Sequence, residues 1–316
     1  MSEANHSAPE AHMGLPLPHG KLAMWLFLVT EIMFFTALIG TYVILRHGTP
    51  TVTYEKEGKW VREAPWPKPH DVHLIEWVGA LNTFVLICSS VTVVLAHYSL
   101  SRKNVKRAIQ YVGATLALGA VFLIIKAFEY TSKFQHDILP GHIGELLPNM
   151  SPQRKAAFHA NAQQYAQRIQ GQLEAIEQNP GKLSQETLKS CKELQEAMKE
   201  REPDPKTGTP YRPALDVAEV GERVNNILKE AEKRGESVHL TPTIPYGNLW
   251  ASCYFAMTGF HALHVFGGLV IFAIILFMGW KGVLGPQHES FLELTGLYWH
   301  FVDIVWIFLF PLLYLV

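Results

Sequence analysis

Leu22–Leu45 reads LAMWLFLVTEIMFFTALIGTYVIL, 24 residues with one charged side chain, Glu31. A helix rising about 1.5 Å per residue needs about 20 apolar residues to cross a hydrocarbon core, so this stretch predicts a transmembrane helix. Its apolar core exceeds that of a signal peptide, and the preceding 20 residues lack a basic n-region. The segment is therefore expected to stay in the mature protein. Four further stretches satisfy the same length criterion: Leu74–Ala96, Ala108–Ala127, Leu249–Trp280 and Leu292–Val316. The expected fold is an all-α, polytopic membrane helix bundle with five transmembrane helices and an extramembrane helical insertion. Gly40, Gly79, Gly113, Gly119, Gly267 and Gly268 lie within the spans, where small residues let helices approach closely.

Between the third and fourth spans the composition changes. The whole chain of 316 residues is 48% hydrophobic and only 17% charged, against about 25% in ordinary globular chains, yet its mean hydropathy is just +0.09. The average conceals a polar segment, 134–243, between two apolar ones. Leu, Ile, Val and Ala recur there at three- and four-residue spacing within Ser151–Gln178, Ser184–Arg201 and Ala214–Arg234, which predicts amphipathic helices. Asn179-Pro180-Gly181 and Glu202-Pro203-Asp204-Pro205 separate them, and Ser151-Pro152 and Ser184 resemble helix starts. The chain thus divides into an N-terminal segment 1–21, three spans in 22–133, the insertion 134–243, and two spans in 244–316. A solvated cap or a docking surface for further subunits would each explain the insertion.

Lys plus Arg number 27 against Asp plus Glu 28, a balance that excludes a strongly basic nucleic-acid binder. Cys88, Cys191 and Cys253 are far apart, with no C-x-x-C, so no disulfide framework or cysteine metal site is suggested. Orientation follows from Arg102, Lys103, Lys106 and Arg107 in the short second connection, which the positive-inside rule places in the cytoplasm. The first connection also carries cations, but they are dispersed among Glu55, Glu57, Glu63 and Asp71. The N-terminus is then cytoplasmic, and the insertion and C-terminus are periplasmic.

A charged group at mid-bilayer costs about 2.5–3.5 kcal/mol on insertion scales, so each one needs a partner, a bundle interior or a functional path. Glu31 lies about ten residues, hence about 15 Å, into its span. It reads either as a hydrogen-bonded structural carboxyl or as a proton-related acid. Lys126 and Glu129, three apart on one helix face, read as an ion pair or as part of a proton path. His261 and His264 share a face in the fourth span and invite a haem or metal reading, but only His97 and His300 remain as further imidazoles in the spans. Packing or headgroup contact is the competing explanation. Glu293, His300 and Asp303 fall within about a third of the last helix's circumference, and Trp299 and Trp306 beside them are too deep for an interfacial belt. No phosphate-binding loop, zinc-protease motif or nucleophile elbow is present, so the chain offers no self-contained active site.

Thr30-Glu31-Ile32-Met33-Phe34-Phe35, Leu81-Asn82-Thr83, Ala96-His97-Tyr98-Ser99-Leu100, Glu129-Tyr130, Gly259-Phe260-His261-Ala262-Leu263-His264-Val265 and Tyr298-Trp299-His300-Phe301-Val302-Asp303-Ile304-Val305-Trp306 together resemble subunit III of the haem-copper cytochrome c oxidases. Order and spacing agree through all five spans, over about two thirds of the chain. The resemblance implies a short, five-helix bacterial form of an accessory subunit in the cytoplasmic membrane. Such a subunit binds no haem or copper itself. It packs beside subunit I, associates with subunit II, holds phospholipid, and supports proton uptake in an enzyme that reduces oxygen to water. Glu31 matches the family's intramembrane carboxylate, and Glu129, His261, His264, Glu293, His300 and Asp303 match other polar positions. Two departures stand out: the family's first two helices are absent, and an insertion of roughly 100 residues precedes Tyr246. A quinol oxidase subunit, a relative accompanying nitric oxide reductase, and an independent proton or ion carrier are the alternatives.

Overall fold

The computed structural model describes residues 19–49, 52–56, 59–63, 66–145, 159–200 and 215–315. Five of its helices are long and apolar enough to cross a membrane: α1 His19–Gly48, α2 Glu76–Ser101, α3 Val105–Gln135, α7 Gly247–Trp280 and α8 Glu289–Phe310. Three shorter helices, α4 His159–Gln178, α5 Gln185–Met198 and α6 Val217–Lys233, form the insertion. Between α1 and α2, β1 Val52–Lys56 pairs antiparallel with β2 Lys59–Glu63, a hairpin the helical reading did not contain. The Ser151-Pro152 start and the Glu202–Pro205 break lie outside the described residues.

The spans run past the apolar stretches at their ends because polar side chains there find partners. Lys21, on the first turns of α1, reaches Glu293 on α8 at 2.6 Å. At the other end, Trp66 Nε1 donates to the Tyr42 hydroxyl at 3.2 Å, fixing the connection that follows α1. Helices α2, α3, α7 and α8 pack as a four-helix bundle, and α1 lies on α7 and α8. Only Phe35 and Tyr42 of α1 are fully buried, so most of this helix faces outward. Pro311 lacks the amide that would continue α8, and the chain widens into a π-helical turn, Pro311–Leu315, that carries Tyr314 into the bundle.

Trp299 sets the spacing of the bundle. A Cβ on Gly119 of α3 would lie 2.9 Å from its ring, and one on Gly268 of α7 would lie 2.7 Å away. Its indole Nε1 donates to Ser89 Oγ on α2 at 2.9 Å. One side chain therefore touches all three neighbouring helices, as bundles without a hydrophobic drive between helices require. Gly40 has open space around it and contributes no such contact.

The insertion has its own core, built from residues such as Tyr165, Ile169, Leu173, Leu194, Val220 and Val224. Ser184 caps α5, accepting from Thr187 N at 3.3 Å, and Gly181 turns the chain with φ +54°. Amide side chains dock this unit onto the span ends. Asn225 brackets Thr243, and Asn248 brackets Ile143, each through two backbone bonds of 2.8–3.0 Å. Asp137, just beyond α3, accepts from Thr241 and from the imidazole of His142.

A second tie holds the 66–74 loop. Lys133, fully buried, donates its ammonium to the Val72 carbonyl, and the His73 and His136 rings stack with centroids 4.2 Å apart. Burial first, then His136 and Lys133 nearby, lowers the His73 pKa to about 4. The sign follows from linkage: the free imidazole titrates near 6.5, so above that pH the stack is fully favoured, and stability is lost as pH falls toward 4. The hydrogen-exchange protection factors of residues 66–75, rates corrected for the intrinsic base-catalysed pH dependence of amide exchange, should therefore fall between pH 6.5 and 4. In His73→Phe, which keeps the stack and removes the titration, that fall should largely vanish; an unchanged profile would refute the tie.

Candidate functional site

Polar side chains inside the spans assemble into three groups. The first is at the α1–α7 seam. Glu31 Oε2 lies 3.0 Å from His264 Nε2, and both side chains keep partial exposure, 21% and 17%. His264 Nδ1 is 2.7 Å from the Phe260 carbonyl. A carbonyl only accepts, so Nδ1 carries a hydrogen, and in the neutral imidazole Nε2 is an acceptor. The proton between Nε2 and Glu31 then belongs either to a carboxylic acid donating to imidazole or to an imidazolium donating to carboxylate. Both arrangements are neutral overall and differ by one transfer along one hydrogen bond. Phe34, Phe35, Phe260 and Phe301 surround the pair with ring contacts of 5.0–6.4 Å. Tyr298 donates to the His264 carbonyl at 2.8 Å and fixes that turn of α7.

The second group lies between α3, α7 and the terminal turn. Lys126, 4% exposed, donates to Glu129 at 2.8 Å and to the hydroxyls of Tyr254 and Tyr314 at 3.2 and 3.0 Å. Tyr254 and Tyr314 donate in turn to Glu129. Four rings, those of Tyr130, Tyr254, Trp306 and Tyr314, stand 5.1–5.6 Å from the Lys126 ammonium. Each charge is matched by a partner and by further donors or ring faces, the condition under which a buried pair is tolerated.

The third group follows the α2–α8 seam. Ser90 Oγ is 2.5 Å from His300 Nδ1, and Trp306 Nε1 donates to Thr83 Oγ1 at 3.0 Å. Asp303 is 4% exposed, and neither carboxyl oxygen has a hydrogen-bond partner among the described residues. The polar face of the last helix is thus divided: Glu293 turns to α1, whereas His300 turns to α2. The two histidines of α7 also diverge. His261 Nε2 is 3.1 Å from the Val302 carbonyl inside the bundle, while His264 looks outward to α1. Among the described residues no group of three or more His, Cys, Asp or Glu is placed to hold a metal. His97 stands 3.8 Å from Glu289, near the span ends.

Sequence reasoning passed over Lys21, Ser89, Ser90, Tyr254, Tyr314 and Lys133. Only Lys133 left a trace, seven residues beyond Lys126 on the same helical face.

The sequence profile of a family described as cytochrome c oxidase subunit III matches residues 8–138 and 236–316. It therefore covers all five spans and omits the insertion helices. A cytochrome c oxidase subunit 3 of Thermostichus vulcanus is 39% identical over 85 residues, covering 26% of this chain and 42% of the relative. A probable cytochrome c oxidase subunit 3 of Rickettsia bellii is 32% identical over 133 residues, 40% of this chain and 47% of the relative. The subunit 3 of Pelea capreolus aligns over 309 residues at 22% identity, covering 98% of this chain and 72% of its own length. The chain spans less than half the length of the first two of these relatives.

Proposed function

Because this chain belongs to the cytochrome c oxidase subunit III family, we propose that it is the accessory third subunit of a proton-translocating aerobic terminal oxidase. On this reading the catalytic subunit I holds the haem and copper, subunit II is a further partner, and the present chain has no redox centre. It stabilises subunit I and supports proton uptake, and phospholipid fills the remaining seams. The names of its relatives favour cytochrome c over quinol as donor. The observation that carries the reading is a family match running through every span of a five-helix membrane bundle.

The multi-pass chain is placed in the bacterial cytoplasmic membrane, with its N-terminus inside and its C-terminus in the periplasm. Arg102, Lys103, Lys106 and Arg107 cluster about the α2–α3 turn, at the opposite end of α3 from the insertion, which supports that orientation. The insertion is then periplasmic and available to further respiratory subunits. Outward-facing apolar residues of α1, among them Leu26, Ile32 and Met33, would meet lipid or a neighbouring chain.

Glu31 and His264 are the groups assigned to proton handling. Affinity-tagged chain should bring haem absorbance with it, and a haem-free eluate would overturn the oxidase reading. In the complex, Glu31→Ala should leave haem content and initial rate near wild type while shortening sustained turnover several-fold. Glu31→Gln separates the two roles, because an amide can still donate to His264 Nε2 but carries no exchangeable acid proton. Full recovery in Glu31→Gln would make the pair structural and remove the proton role.

A further inference from the structure

We propose that the cleft between the 66–74 loop and α6 binds a zwitterionic head group carrying a phosphodiester and an ammonium. The cleft has a volume of about 860 Å³ and is lined by the 66–73 loop, His136, α6 and residues 236–245. The family match stops at residue 138 and resumes at 236, so the α6 wall belongs to the insertion.

That wall alternates in sign. Lys229, Glu232 and Lys233 on the last turns of α6 and Glu236 just beyond it line the cleft. Lys233 pairs with Glu230, and Glu236 accepts from Thr187 at 2.6 Å. Lys229 and Glu232 have no hydrogen bond or ion pair among each other or their described neighbours that would occupy them. Three apart on a helix, they stand about 5–6 Å from each other at Cβ, comparable with the separation of phosphate and ammonium in phosphoethanolamine. A purely anionic group would meet Glu232, and a purely cationic one Lys229. Across the cleft the stacked rings of His73 and His136 supply imidazole edges.

Depth points to an interfacial ligand. Trp66, Thr243 and Pro245 line the cleft, and they adjoin the ends of α1, α3 and α7, where the spans leave the hydrocarbon region. Ile75 and Trp77, just beyond His73 at the start of α2, are apolar and 63% and 73% exposed, as side chains that meet lipid would be. The same head-group chemistry occurs in membrane phospholipids and in soluble phosphodiesters.

The test uses the full chain, purified with its accompanying subunits, and reads modification of His73 and His136 by diethylpyrocarbonate. Dihexanoyl phosphatidylethanolamine should slow modification several-fold, and exposed-surface variants Lys229→Gln and Glu232→Gln should each raise the half-protecting concentration about tenfold. Protection by the lipid alone assigns a membrane source. Equal protection by glycerophosphoethanolamine assigns a soluble one, and both outcomes support the site. No protection, or equal protection by dihexanoyl phosphatidylglycerol with Glu232→Gln indifferent, overturns it. Neither readout depends on oxidase activity.

Discussion

Lys126→Met should destabilise the protein by about 3–5 kcal/mol, the cost of removing one partner from a buried ion pair. The carboxylate of Glu129 would remain inside the bundle with only the Tyr254 and Tyr314 hydroxyls to solvate it. Methionine preserves the length of the stem and much of its contact with the four surrounding rings, so the loss reports charge rather than volume. The double variant Lys126→Met/Glu129→Leu should recover most of the deficit, since replacing both charges by apolar groups is often close to neutral. Thermal unfolding of the detergent-purified protein measures both. A Lys126→Met melting temperature equal to wild type would show that the pair is not electrostatically coupled.

That network also shows what the linear sequence concealed. Lys126 and Glu129 are visible together because helical spacing brings them together, but Tyr254 and Tyr314 join them from 125 and 185 residues beyond Glu129. No periodicity announces a tyrosine on a terminal turn that exists because Pro311 interrupts α8. The spans themselves were legible, because a long apolar run has one stable solution in a bilayer. Their ends were not. Hydropathy stops the first span at Leu22 and the third at Ala127, whereas Lys21 and Lys133 extend α1 and α3 by finding Glu293 and the Val72 carbonyl.

Within the candidate site, the same division holds. Glu31 was conspicuous by depth and His264 by its neighbour His261, yet their pairing joins residues 233 apart and depends on how α1 lies on α7. The shared face of His261 and His264 suggested one site. The actual packing gives His261 to the α8 backbone and His264 to α1. Val52-Thr53-Tyr54-Glu55 alternates branched or aromatic with polar side chains, a strand signal inside a stretch read from its charges alone as the connection between the first two spans.

The second large effect is expected at Trp299, where Trp299→Ala should cost about 3–5 kcal/mol through the cavity it leaves. Its ring fills the space between Gly119 and Gly268, meets Phe272 edge-on at 5.2 Å, and ties α8 to Ser89. Gly268→Val should be comparably damaging for the opposite reason, because its side chain enters the volume the indole occupies. These two losses cannot be independent. Once Trp299 is alanine, valine at 268 has room, so the double variant should be more stable than the sum of the single effects predicts by 1 kcal/mol or so, the size of coupling seen between contacting residues. Strict additivity in thermal unfolding would mean that the indole does not separate α7 from α8. The placement matters beyond stability: α7 carries His264 and α8 carries Tyr298, which holds the His264 carbonyl. A shift of α8 against α7 should therefore also disturb the Glu31 pair, and Trp299→Ala protein that still assembles should show the shortened turnover expected of Glu31→Ala.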